Sequence, residues 1–292
     1  MRCAAIDIGS NTTRLLVAEV QGGELRKLVE ERAYTRIRAD AGPGGPISGA
    51  KVAEVAGVVA GQLRRAREAG AERVRVVATA AIRDAANRDR VVAELARATG
   101  AEVEVLSGEE EGRLAFLGAT RSLGAPPEGL IAVVDVGGGS SEVVLGTVAE
   151  GVREVRSFQV GSGALAEELF RGDPPTTAEV RAVRERIDRA FAGVELARPD
   201  RAVAVGGSAT SLARVVGPVL EPEGLERAAR VLVSDASEAV ARRLGLDSRR
   251  ARVLPAGVLV LAKLAEVLRA PLEVGRGGLR EGVVLELAES SS

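Results

Sequence analysis

IDIGSNTTRLLVAEV, residues 6–20, runs an apolar strand up to Asp7, turns through Gly9-Ser10-Asn11 and returns on a second apolar run. IAVVDVGGGSSEVVLGTV, residues 131–148, repeats that order with Asp135 standing 128 residues beyond Asp7. Superimposed, the two copies read apolar-Asp-apolar-Gly, four small polar or glycine positions, a charged residue and an apolar run. A repeat unit of that length signals a duplicated domain, because solenoid repeats recur at about 20–50 residues. Two similar halves facing each other would form a cleft between two Asp-bearing glycine turns.

The segments around the copies support an α/β class. An opening meander is predicted over Cys3–Ile8, Thr12–Val20 and Glu24–Arg32, with the Gln21-Gly22-Gly23 turn between its last two strands. Residues 41–50, AGPGGPISGA, read as a loop. A helix over Lys51–Ala69, a buried strand at 73–81, a helix over Arg88–Thr99 and a strand at Glu102–Leu106 follow. Ser107 reads as the N-cap of SGEEEGRLAFLGATRSL. APPEG, residues 125–129, is the expected linker, which sets domains at 1–124 and 125–292, with the last helix, about 280–292, free to pack back on the first.

The second half predicts strands at Leu130–Val136, Ser140–Leu145 and Arg153–Val160, and helices at Ala164–Phe170 and Thr177–Val194. A strand at 201–207 leads into a helix from Ser208. Helices near Ala236–Leu244 and Gly257–Leu268, a strand at Pro271–Val274 and a terminal helix complete the chain. Strands that alternate with helices after an antiparallel meander define the α/β class.

A glycine-rich turn between strands presents several backbone N–H groups in a concave array suited to an anion. Glycine is needed there because a Cβ blocks close approach and disfavours positive φ. Ser10, Asn11, Thr12, Ser140 and Ser141 add side-chain donors, and Asp7 and Asp135 are placed to hold Mg²⁺ directly or through water. For one such turn alone, an ordinary tight hairpin is favoured about two to one. The paired copies and a third turn, AVGGSATS at 204–211, favour phosphate binding. Arg83, in TAAIRDAANRD, is either a helix-capping ion pair or a guanidinium clamp for phosphate. Glu109-Glu110-Glu111 either serve the helix dipole or place one carboxylate as a general base.

Bulk composition narrows the chemistry further. The chain has 292 residues, enough for two domains. It contains no histidine, so Ser-His-Asp catalysis, His-ligated zinc and HD-type metal phosphohydrolysis are excluded, and proton transfer falls to Asp, Glu, Lys or Tyr34. A net charge of −1 offers no general attraction for nucleic acid or an anionic membrane, and 2% aromatics leaves little stacking surface for single strands. Cys3 as the single cysteine fits a reducing compartment. No apolar run is long enough to span a bilayer, and MRCAAIDIGS lacks a signal-peptide layout, so the expected location is the cytoplasm.

Together DIGSNTTRLLVAEV, VVATAAIRDAANRD, SGEEEGRLAFLG, VVDVGGGSSEVVLG, AVGGSATSLA, RARVLPAGVLVL and GGLREGVV resemble, in order and along essentially the whole chain, the exopolyphosphatase/guanosine pentaphosphate phosphatase (Ppx/GppA) family. The resemblance implies two ribonuclease-H-like domains of the actin/Hsp70/sugar-kinase type with an active site in the interdomain cleft. It implies Mg²⁺-dependent (alternatively Mn²⁺-dependent) hydrolysis of terminal phosphate from inorganic polyphosphate, or of the 5′-γ-phosphate from pppGpp. By the same resemblance Glu111 is the catalytic base, with Glu110 the alternative one residue away. Arg83 contacts phosphate. Asp135 and Glu142 hold metal and position water. Ser10 and Asn11 form the first phosphate loop, Gly137, Gly138, Gly139 and Ser140 the second, and Gly206, Gly207 and Ser208 the third.

Many members of that family carry a further helical HD-like domain. Here the sequence runs to Ser292, which leads us to expect action on shorter polyphosphates or a nucleotide. A kinase or ATPase of the same fold is the first rival, and SGEEEGR with GGLREG favours the phosphatase branch. A (p)ppGpp-binding sensor with little turnover is the second, and Glu111, Asp135 and Glu142 argue against it. The partners expected are polyphosphate or pppGpp/ppGpp, with no nucleic acid and no membrane, and with a homodimer left open.

Overall fold

The structure, a computed structural model, describes residues 1–42, 44–123 and 128–290. The expected linker at 125–129 lies outside the described residues for its first three positions. The chain divides into two compact units, Met1–Gly124 with Gly277–Ser292, and Ala125–Arg276.

In the first unit β1 (Arg2–Ile8), β2 (Thr13–Gln21) and β3 (Glu24–Ala33) form an antiparallel meander, followed by α1 (Ile37–Ala41) and α2 (Gly49–Glu68). β4 (Arg73–Ala78), α3 (Ala80–Arg83), α4 (Arg88–Thr99), β5 (Val103–Val105) and α5 (Gly108–Arg121) come next. The sheet order is β3-β2-β1-β4-β5, with β4 and β5 parallel to β1. Side chains alternate across β1, so one face packs Ala4, Ile6 and Ile8 against Val52, Val55, Val59 and Leu63 of α2. Those α2 residues recur at helical spacing, and Ser48 caps the helix by accepting from Lys51 N at 3.2 Å.

The other face carries Cys3 and Ala5, which pack with Leu16, Val77, Leu114 of α5 and Val283 and Val284 of the chain's last helix. Asp7 is next in that alternating series. Helices that cover this face therefore lie on the side of the sheet that Asp7 occupies.

In the second unit β6 (Ile131–Val136), β7 (Ser141–Thr147) and β8 (Gly151–Phe158) repeat the meander. α6 (Ser162–Leu169), α7 (Thr177–Ala190), β9 (Arg201–Val205), α8 (Gly206–Val216), β10 (Val219–Leu220) and α9 (Pro222–Leu232) follow. α10 (Ser237–Leu244), α11 (Ser248–Leu268) and β11 (Leu272–Val274) complete it. The strand order is β10-β11-β9-β6-β7-β8.

The chain's last helix, α12 (Leu279–Glu289), belongs to the first unit. There Gly118 of α5 lies so close to Gly278 and Gly282 that a Cβ on it would overlap their backbone.

Three expectations are corrected. α11 begins at Ser248 rather than Gly257 and runs straight through Pro255, which is buried with its neighbours. Proline normally ends a helix, but here Asp247 caps the start, accepting from Arg249 N at 3.0 Å, and packing holds the rest. α9 was not expected, although Pro222 at its first turn is a favoured helix start. The loop drawn at 41–50 is shorter, because α1 reaches Ala41 and α2 starts at Gly49.

Candidate active site

The two Asp-bearing turns have the same backbone. Gly9 N–H donates to Thr12 O at 3.0 Å, and Gly137 N–H donates to Ser140 O at 3.0 Å. A Cβ on Gly9 would stand 3.1 Å from Thr12 O, and one on Gly137 3.1 Å from Ser140 O. Asp7 is in register with Val77 on the neighbouring parallel strand, and Asp135 with Val205. The repeat spacing of 128 residues thus persists from the first strand pair into β4 and β9.

The acids differ in what faces them. Asp7 lies opposite Arg14 in the antiparallel pair, whereas Asp135 lies opposite Glu142. Directly opposed like charges destabilise a sheet unless something neutralises them. Glu142 is 2% exposed, and its Oε1 accepts from Ser157 Oγ at 2.9 Å. Asp7 Oδ1 is buried with no hydrogen-bond partner. Burial pushes the Asp7 carboxyl up from its ordinary range, against the opposing pull of Arg14 and Arg280.

Arg83 and Glu111 come together within the first unit. Arg83 Nη1 donates to Glu111 Oε2 at 2.9 Å and to Leu106 O at 3.0 Å. Both side chains are sheltered, 15% and 14% exposed. α5 sets this position. Ser107 Oγ accepts from Glu110 N at 3.1 Å, and the three glutamates occupy the first turn, where the helix dipole favours negative charge. Glu111, not Glu110, makes the bond to Arg83. Arg83 also lines a surface depression with Arg88, Val105, Leu106 and Ser107.

The remaining expected residues fall at the turns in different ways. Ser10 is 6% exposed and Ser140 2%, while Asn11, Gly137 and Gly138 are half-buried. Gly206 has φ +83°, and a Cβ there would overlap Asp135 Oδ1, so this position of the third turn requires glycine. A Cβ on Gly207 would stand 2.5 Å from the Arg250 guanidinium. Ser208 is fully buried, with its Oγ 3.5 Å from Val136 O.

Each Asp-bearing turn is also strapped from outside, which the motifs did not reveal. Arg36 N–H donates to Asn11 O at 3.1 Å and Arg38 N–H to Ser10 O at 3.2 Å. In the second unit Ser162 N–H donates to Gly137 O at 2.9 Å and Ala164 N–H to Gly138 O at 2.7 Å. The available signal was positional, since both straps directly follow the third strand of a meander.

No group of three or more metal-ligating side chains occurs among the described residues. The donor chemistry still fits a hard divalent cation. Asp135 and Glu142 are facing carboxylates, hard oxygen donors of the right kind, and in the first unit Asp7 Oδ1 is a buried oxygen with no hydrogen-bond partner.

Duplicated meander sheets, each with an aspartate beside a strapped glycine turn, define a protein of the actin-like α/β class built to handle phosphate. The chain belongs to the Ppx/GppA phosphatase family, which matches residues 16–291, and is accordingly a phosphoanhydride hydrolase. It is similar to Exopolyphosphatase 2 of Mycobacterium tuberculosis, 32% identical over 98% of each chain. It also resembles the guanosine-5′-triphosphate,3′-diphosphate pyrophosphatase of Photobacterium profundum, 26% identical over 97% of this chain and 59% of that one. The crystal structure of the Aquifex aeolicus Ppx/GppA family member is 34% identical, with a TM-score of 0.84, covering 100% of this chain and 99% of that one.

Proposed function

We propose that this phosphatase removes the terminal phosphate from inorganic polyphosphate, favouring shorter chains, by in-line attack of water. The observation that carries the reading is the sheltered Arg83–Glu111 contact at 2.9 Å, on the helix that follows β5. In the resting protein the guanidinium holds the carboxylate in place. An arriving phosphoryl group competes for Arg83 with a bidentate geometry the guanidinium suits. Glu111 is then left to accept the proton of the attacking water. Arg83 and the amides of the first glycine turn stabilise charge on the transferring group.

Asp135 and Glu142 would hold Mg²⁺, with Mn²⁺ an acceptable substitute, and Asp7 is the further acid in this role. When bound, the cation neutralises phosphate charge and polarises the transferring group. Ser10, Asn11, Gly137, Gly138, Gly139, Ser140, Gly206, Gly207 and Ser208 make up the three phosphate turns. The duplicated backbone of the first two and the glycine-only geometry at Gly206 support that assignment. No helix is long and apolar enough to cross a membrane among the described residues. A cytoplasmic location is part of the proposal, supported by the single buried cysteine.

Orthophosphate release from short polyphosphate, long polyphosphate and pppGpp, measured on one preparation with and without EDTA, tests the reading. We expect EDTA-sensitive release that is fastest on short polyphosphate. Faster release from pppGpp would transfer the proposal to ppGpp formation. Tight (p)ppGpp binding without release would make the protein a sensor, and release only with an acceptor present would make it a kinase.

A further inference from the structure

The straps on the two turns do the same backbone work with different side chains. In the second unit it is done by Ser162 and Ala164, beside Gly161, on which a Cβ would stand 2.6 Å from the Gly138 backbone. In the first unit it is done by Arg36 and Arg38. Main-chain N–H groups make the strap in both units, with Ser162 Oγ adding a bond to Gly137 O at 3.1 Å, so the strap needs no guanidinium. Its second copy manages with a hydroxymethyl and a methyl.

The first strap is also harder to build. Arg36 has φ 46° and ψ 48°, the left-handed region, which is costly for any residue carrying a Cβ. Asparagine or glycine would adopt it more readily. Arg36 is exposed and Arg38 half-buried, and among the described residues neither guanidinium pairs with a carboxylate. Other arginines of the same unit do pair, as Arg26 with Glu19, Arg75 with Glu104 and Arg113 with Glu286. Two arginines with no carboxylate partner are thus tied through their main-chain N–H groups to Asn11 and Ser10, the two residues of the first glycine turn.

We propose that Arg36, assisted by Arg38, is a tail-binding position. It holds the second and later phosphates of a linear polyphosphate whose terminal group occupies the first turn. The proposal rests on the hydrolase reading for its substrate class, and it adds the residues that distinguish a phosphate chain from a single phosphate. Backbone anchoring keeps the charges beside the turn without lengthening the side chains' reach. A guanidinium fork can contact successive phosphoryl oxygens as the chain shortens.

Arg36→Asn removes the charge yet keeps a residue tolerant of the left-handed conformation, and Arg36→Lys keeps a charge. Equilibrium titration with long-chain polyphosphate, in EDTA so that no turnover occurs, reads the effect directly. We expect Arg36→Asn to raise Kd about tenfold, the size of one charge-assisted contact. Arg36→Lys should recover much of that loss, and orthophosphate, which has no tail, should bind each protein alike. Added salt should weaken polyphosphate binding more in the parent protein than in Arg36→Asn.

An unchanged polyphosphate Kd overturns the proposal. So does an equal loss for orthophosphate, which would mean that Arg36 merely supports the turn. Because binding is read without turnover, a protein that releases no phosphate would overturn the hydrolase reading and leave this result standing.

Discussion

The turns after Asp7 and Asp135 share a closing hydrogen bond of 3.0 Å, a register with the neighbouring parallel strand and an external strap, yet they carry opposite charge patterns. Asp7 is faced by Arg14, and its strap bears Arg36 and Arg38. Asp135 is faced by Glu142, and its strap bears Ser162 and Ala164. The duplicated turns share a backbone but not their side chains: the first copy carries guanidinia, and the second carries two facing carboxylates. The comparison also explains why the acids are unequal. Guanidinia oppose the burial penalty at Asp7 without cancelling it, whereas Asp135 has a second carboxylate directly across the strand pair.

The largest effect should come from a residue found in only one copy. Glu111→Gln removes the proposed proton acceptor and should lower kcat about 10²–10⁴-fold. Glu110→Gln should do far less, because its side chain has no part in the bond to Arg83. Equal losses in steady-state phosphate release from the two variants would remove the assignment.

The charge contrast is tested next by a matched pair. Asp135→Asn should raise the Mg²⁺ concentration for half-maximal activity at least about tenfold, a size typical of perturbed metal sites. Asp7→Asn should raise it less, since Arg14 and Arg280 already oppose that charge. If a metal titration gave the reverse order, the cation would belong with the first turn.

A smaller effect concerns the third turn. Gly206→Ala must adopt φ +83° and place a methyl on Asp135 Oδ1, which should cost about 1–3 kcal/mol in urea unfolding. The corresponding first-copy change, Ala78→Gly in β4, has no such overlap and should cost about 0.5–1 kcal/mol through chain entropy alone. Similar costs for the two would show that the copies do not diverge here.

The smallest effect, remote from both turns, is a control. Glu179 is held down to about 2 from the usual 4.5 by hydrogen bonds from the backbone N–H of Thr176, Arg171 and Gly172. Ionised Glu179 therefore stabilises the fold above its unfolded pKa, and that contribution fades as the pH falls towards 2. Thermal unfolding of Glu179→Gln should lie below the parent at pH 7 and converge with it near pH 2. A constant gap would mean that the carboxylate's charge is irrelevant to the α7 cap.

The duplication, the meanders and the cap at Ser107 were legible because each is a local pattern of hydrophobic period and turn chemistry. Pro222, in the first turn of α9, is a local start signal of the same kind. The start of α11 at Ser248 was not legible, because only buried packing carries a helix through Pro255 against proline's local preference. The adjacent glutamates at 110 and 111 could not be separated by motif alone. Which one meets Arg83 depends on the rotation of α5, fixed by the Ser107 cap and by Leu114 and Gly118 packing on α12.

By itself the sequence determined that this is a duplicated α/β protein with paired Asp-bearing glycine turns and no histidine chemistry, since strand period, glycine placement and composition are written residue by residue. Only the tertiary structure decided that Asp7 faces Arg14 while Asp135 faces Glu142, that Arg83 grips Glu111, and that Arg36 and Arg38 are fastened to the first turn. Those pairings join residues 7 to 28 positions apart in the chain. They follow from strand register, helix rotation and one left-handed backbone position, which packing sets and no local pattern records.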